Sequence, residues 1–205
     1  MQLRARAIVC AARPQGETAV VARLLTEHHG LIAAYVAGGR GRTLRPVLVP
    51  GNLVQADLHS RSDTMLPFAT LELVASRGPW LGEPLCAAAI DWATALTATA
   101  LPERHAYPPL FAALSALLDA LCHAPSARGW VPGLLAYEAL VLRELGYGDR
   151  LARPAGDDWG AIMAAFDRSG AALARWVLAE RRERAMAARD RLRQRLERIE
   201  GQELP

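Results

Sequence analysis

Three arginines stand within six residues, Arg40, Arg42 and Arg45, threaded among Gly38, Gly39 and Gly41. A guanidinium is planar, permanently charged and presents a fork of donors that fits phosphate geometry. Glycine lets the backbone turn freely and approach a ligand closely. That combination points to the grip of a polyanion, with phosphates held by charge and by backbone approach. The plainer alternative is a basic, mobile connection between strands. Arg4 and Arg6 share one face of an alternating strand. They either extend the same track or form a solvated strand face.

The charge distribution favours the first reading. Residues 1–80 carry nine arginines against five acids, while the other 125 residues are close to neutral. The whole-chain charge of +3 hides this asymmetry. A positive field confined to one segment can steer a nucleic acid; a solvated basic surface is the alternative. All 24 basic residues are arginine.

Other chemistries find little support. His28-His29 sits in a turn with Glu27 but lacks partners at ligand spacing, so no metal site is expected. No serine lies in a G-x-S-x-G context, and there is no phosphate-binding G-x-x-x-x-G-K-[ST] loop. No cofactor and no nucleophile are expected from these residues. Cys10, Cys86 and Cys122 are far apart and odd in number, which fits reduced thiols in a cytosol. The apolar stretch from Leu85 to Leu101 is interrupted by Asp91, Thr94, Thr97 and Thr99, which reads as a buried helix and not a membrane span.

The elements that must position the arginines are strands. From Leu3 to Ala11 the chain alternates, with Leu3, Ala5, Ala7 and Val9 on one side and Arg4 and Arg6 on the other. Arg13 to Gly16 is a turn signal. Strand-like runs follow at Thr18–Thr26, Leu31–Ala37, Leu53–His59 and Pro67–Val74. In the last two, Val54, Ala56 and Leu58, then Ala69, Leu71 and Leu73, point inward. Glu17–Glu27 also fits a short helix. Five short strands in about 75 residues fit a small closed barrel such as the OB-fold. Only Tyr35 and Phe68 supply rings in these strands, and Phe68 is assigned to the core. Base stacking is therefore thin, which favours backbone binding with little sequence preference.

After Gly78-Pro79 the apolar spacing becomes helical, so the fold class is α+β: an OB barrel over residues 1–78 and a helical domain over residues 79–205. Helices are expected at Leu85–Ala100, Leu110–Leu121 after Pro108-Pro109, Leu134–Leu145 after Pro132 with Gly146 as its stop, and from Trp159 after a cap by Asp157-Asp158. A last helical segment runs from about Ala171 towards Ile199, with Leu192, Leu196 and Ile199 as its stripe. Alternating charge in Glu180–Arg184 and Arg189–Arg198 reads as a solvated face. Trp130, Trp159 and Trp176 read as core anchors.

In this order the segments resemble the bacterial DNA repair protein RecO family. The opening AIVCAARPQGETAVVARLLTEHHGLIAAYVAGGRGR resembles the family's start: a strand, a Gly-Glu-Thr turn, a Leu-Thr-Glu-x-x-Gly segment and a basic loop. Tyr137-Glu138 through Leu145-Gly146-Tyr147 is similar to its aromatic-Glu…Leu-Gly-Tyr helix end, and ARDRLRQRLERI to its arginine-rich last helix. The resemblance implies a cytoplasmic, nucleoid-associated recombination mediator. Such a protein would bind single- and double-stranded DNA and anneal complementary strands. It would also help RecR load RecA onto DNA coated by single-stranded-DNA-binding protein. Many relatives carry a four-cysteine zinc motif; Asp149–Asp158 has no cysteine, so none is expected here. The DNA contacts expected on this reading are Arg40, Arg42, Arg45, Arg4 and Arg6, with Gly39 and Gly41 giving backbone approach. Two other readings remain: a helical protein-interaction adaptor with the barrel as support, and an RNA-binding OB protein.

Overall fold

The structure, a computed structural model, describes residues 2–62, 65–148, 158–178 and 182–200. Two compact units make up the chain: residues 1–82 with 101–112, and residues 83–100 with 113–205.

In the first unit, β1 (Gln2–Gln15), β2 (Ala19–Thr26), β3 (Gly30–Val36), β4 (Leu53–His59) and β5 (Phe68–Ala75) form a closed barrel in the order β1-β2-β3-β5-β4. This is the OB arrangement. One long strand makes closure possible. The first half of β1 pairs with β4 and its second half with β2, and a register shift between Val9 and Ala11 bends it between the two. The shift also changes which parity faces in: Leu3, Ala7 and Val9 precede it, Ala12 follows it, and all four pack on the barrel core. That core is aliphatic, including Ala22, Leu24, Ile32, Ala34, Val54, Ala56, Leu58 and Leu71. A single parallel pair, Tyr35 with Phe68, joins β3 to β5. Glu17–Thr26 lies in the β1–β2 turn and β2, so the short-helix alternative is set aside.

Two local readings need correction. β1 runs on through Arg13, Pro14 and Gln15, with Pro14 opposite Val20, and the turn falls at residues 16–18. Leu73 keeps the parity of Ala69 and Leu71, opposite the buried Val54, but is exposed, so the burial expected of it fails.

In the second unit α1 (Pro84–Ala100), α3 (Val131–Glu144) and α4 (Trp159–Trp176) lie close to the expected ranges, α5 spans Arg182–Glu200, and α2 (Pro108–His123) contributes its residues after Ala112. Asp158 caps α4, its Oδ2 accepting from the Ala161 amide at 3.1 Å; Asp157 lies outside the described residues. The run from Ala171 to Ile199 is not one helix. α4 ends at Trp176, the Leu178 amide bonds back to the Leu173 carbonyl, and α5 packs along α1.

The centre of this unit is ionic. Glu138 of α3 is fully buried. It accepts from Trp92 Nε1 at 2.7 Å, from Arg189 Nε and Nη2 at 3.0 Å each, and from Ser169 Oγ. One carboxylate thus ties together α1, α3, α4 and α5. Gly170 makes room: a Cβ there would stand 2.1 Å from Arg189 Nη1. The reading of Arg189–Arg198 as a solvated face therefore fails at Arg189, whose side chain is 4% exposed. Glu180 and Arg181 lie outside the described residues. Trp130 and Trp159 are buried, Trp176 half-buried.

All three cysteines are free thiols, and burial pushes the Cys10 thiol up to about 12. Among the described residues no helix is long and apolar enough to cross a membrane, and no cluster of His, Cys, Asp and Glu could hold a metal ion.

Candidate nucleic-acid interface

The segment between β3 and β4 is a folded turn, not a free strand connection. The Gly41 amide donates to the Gly38 carbonyl at 2.8 Å, Arg45 to Gly41 at 2.9 Å, and Leu48 to Leu44 at 3.0 Å. Leu44, Val47 and Leu48 of this turn pack on the barrel core. Its far end is fastened by Asn52, which is fully buried. Asn52 Nδ2 donates to the carbonyls of Pro46 and Val47 at 2.8 and 3.1 Å, and its Oδ1 accepts from the Arg77 amide at 2.7 Å. The arginines ride on a braced platform as a result.

Arg40 reaches across to the β1–β2 turn. Its amide donates to the Thr18 carbonyl at 3.0 Å, and its Nη1 to the carbonyls of Glu17 and Gly16 at 2.9 and 3.2 Å. A guanidinium has five N–H donors, so this anchoring leaves others directed outward. Arg40 and Arg45 line one cleft of about 450 Å³ with Pro14, Val20, Gly39 and Leu48. Arg42 is exposed on the same turn. Gly39 serves the packing of the turn and faces inward: it is buried, and a Cβ would meet Val20 Cβ at 2.8 Å. The turn can press against β2 because position 39 has no side chain. Gly41 is exposed beside it.

Arg4 and Arg6 are exposed on the outer face of β1, opposite Asp57 and Gln55 of β4. Arg4 Nε stands 3.5 Å from Asp57 Oδ1, a solvent-exposed pair that holds it weakly. The structure therefore brings Arg40, Arg42 and Arg45 together and leaves Arg4 and Arg6 on a separate stretch of the barrel wall, outside the Arg40–Arg45 cleft.

Phe68 is the main correction among the candidate site residues. It is not core but 47% exposed, edge-on to Tyr35 at 5.2 Å between ring centroids and stacked on His59 at 5.8 Å. Its parity along β5, opposite to the inward Ala69 and Leu71, is the signal that places it outside.

A small closed barrel with three arginines on one braced turn, followed by a helical unit, defines a class: OB-type proteins with a helical extension. The chain's matches are narrower. Residues 1–77 match the family described as "Recombination protein O N terminal", and residues 85–156 match "Recombination protein O C terminal". Relatives named "DNA repair protein RecO" include that of Phenylobacterium zucineum, 41% identical over 72% of this chain and 60% of the relative. That of Rhodospirillum centenum is 44% identical over 69% of this chain and 56% of the relative. That of Caulobacter vibrioides is 36% identical over 85% of this chain and 72% of the relative. The chain belongs to the RecO family of DNA repair proteins. Its matched part spans about 60% of the length of the first two of these relatives.

Proposed function

We propose that this chain is a DNA-binding repair mediator without enzymatic turnover, acting in the cytoplasm at the nucleoid. The barrel, residues 1–78, binds single- and double-stranded DNA through Arg40, Arg42 and Arg45, with Arg4 and Arg6 extending the track. The helical domain, residues 79–205, docks protein partners: RecR and the single-stranded-DNA-binding protein. The observation that carries this reading is the Arg40–Arg45 cleft on a braced turn, in a chain whose relatives are named for DNA repair. Annealing follows from the physics of such a surface. Fixed positive charge screens two polyanions, and contacts to phosphates leave bases free to pair. With RecR, the same protein helps RecA load onto coated single strands.

Salt-titrated binding tests the arginines. If all three contact single-strand phosphates, the joint variant Arg40→Ala, Arg42→Ala, Arg45→Ala flattens the log-affinity against log-salt slope by roughly two units, at about 0.7 per contact. Circular dichroism checks that the barrel survives loss of the Arg40 anchor. An unchanged slope removes the turn from the interface. Intact protein that shifts no DNA at low salt yet binds a protein partner supports the adaptor reading instead.

A further inference from the structure

One row of side chains crosses four strands on the outside of the barrel. Gln2 lies opposite His59, His59 opposite Phe68, and Phe68 opposite Tyr35. Adjacent strands are about 4.8 Å apart, so the rings form a continuous surface. His59 lies within 19° of parallel to Phe68, and Tyr35 braces the other side edge-on. Met65 and Leu66, 52% and 42% exposed, stand beside Phe68 on a cleft of about 770 Å³ that Arg61 also lines.

Nothing inside the barrel requires these rings, because Ala69 and Leu71 already fill the inward positions of β5. Exposed apolar groups gathered into one patch mark a binding surface. The charge around the patch specifies the occupant. Arg61 lies on its cleft, Arg4 and Arg6 follow Gln2 along the outer face of β1, and the arginine turn leaves β3 just after Tyr35 and Val36. Flat π surface between cationic flanks is what a single nucleic-acid strand needs: phosphates tracked by charge, bases laid on rings.

We propose that Phe68, with His59 and Tyr35, is a stacking platform for unpaired bases of single-stranded DNA, Arg61 receiving an adjoining phosphate. The inference rests on the DNA-binding reading above and adds the group that separates single from double strands. A duplex keeps its base faces inside, so the platform ignores it. The row is confined to these few side chains, which leaves the rest of a strand available for pairing.

The test uses the intact chain and three probes: oligo(dT), an abasic strand of equal length, and a hairpin duplex. Phe68→Ala should weaken oligo(dT) binding roughly 5- to 100-fold, the range of aromatic truncations at base-stacking sites. Binding of the abasic strand and the duplex should stay at wild-type levels, which also certifies the fold. The salt slope should not change, because a neutral ring releases no counterions. Phe68→Trp should retain binding, while Phe68→Leu, apolar but without a π face, should not. Equal oligo(dT) affinity for wild type and Phe68→Ala overturns the platform while leaving the arginine reading intact. So does a wild type that binds abasic strand as tightly as oligo(dT). A variant that changes only sedimentation makes the patch a self-association face and likewise overturns it. Absence of salt-dependent binding to all three probes overturns both readings together.

Discussion

The arginine turn of the barrel and Arg189 of the helical unit use the same side chain in opposite ways. In the barrel unit the candidate arginines are exposed outside an aliphatic core, while Arg77, just after β5, is buried. In the helical unit Arg189 is taken inside, forked onto Glu138, with Trp92 and Ser169 sharing the same carboxylate and the Phe166 ring 3.7 Å from the guanidinium carbon. The same side chain is thus available charge on the arginine turn and a structural tie at the ionic centre. What separates them is a buried carboxylate. Desolvating a guanidinium is costly unless a partner and its hydrogen bonds compensate, so Arg189 goes inside only because Glu138 is there. Charge density along a sequence says nothing about which case applies.

The largest effect expected from breaking this contrast is at the ionic centre. Glu138→Ala should destabilise the helical unit by about 3–5 kcal/mol, because it strands Arg189 in an apolar interior. Chemical denaturation followed by far-ultraviolet dichroism measures it. A joint replacement of Glu138 and Arg189 by apolar residues of similar volume should cost far less; a cost equal to that of the single variant would show that the pair is worth more than its burial penalty.

In the barrel unit the corresponding buried polar group is Asn52. Asn52→Ala removes three hydrogen bonds that hold the arginine turn and should cost about 2–3 kcal/mol, counting about 1 per bond. Because those bonds brace the turn, the variant should also lose DNA affinity at temperatures well below its melting midpoint, read by fluorescence anisotropy. Stability loss without affinity loss would separate the brace from the interface.

The smallest effect lies on the surface of the helical unit, where Arg193 grips Asp167 at 2.6 and 3.1 Å. The hydrogen bond from Arg193 holds the Asp167 carboxyl below its ordinary value. A carboxylate stabilised when folded adds stability that is complete above the ordinary aspartate pKa and disappears as pH falls through the lowered one. Both groups are over a third exposed, so the contribution is below about 1 kcal/mol. The melting difference between wild type and Asp167→Asn should shrink as pH drops below about 4. A difference independent of pH down to about 2 would exclude the ion pair as its source.

Much of the architecture is written locally. Strict alternation at Val54, Ala56 and Leu58 marks β4, and Pro108 and the capping Asp158 mark helix starts, because side-chain period, the proline ring and the cap act within a few residues. Two expectations ran against such signals. Residue type suggests the core for Phe68, although its parity faces it outward. Arg189 falls on the spacing of Ala185, Leu192 and Leu196, all buried, and its position on that stripe marks it as inward. The break between α4 and α5 carries no such mark, since residues 177–181 contain neither glycine nor proline.

Neighbouring positions alone were therefore enough for the strands, most helices, the basic turn and the family. Hydrophobic period, turn residues and charge are all properties of short stretches of chain. Long-range packing was needed to bend β1 into a closed barrel, to bring Tyr35 and Phe68 together across 33 positions, and to give Arg189 a carboxylate 51 residues away. Those outcomes depend on which distant surfaces exclude water together, and no local pattern encodes that choice.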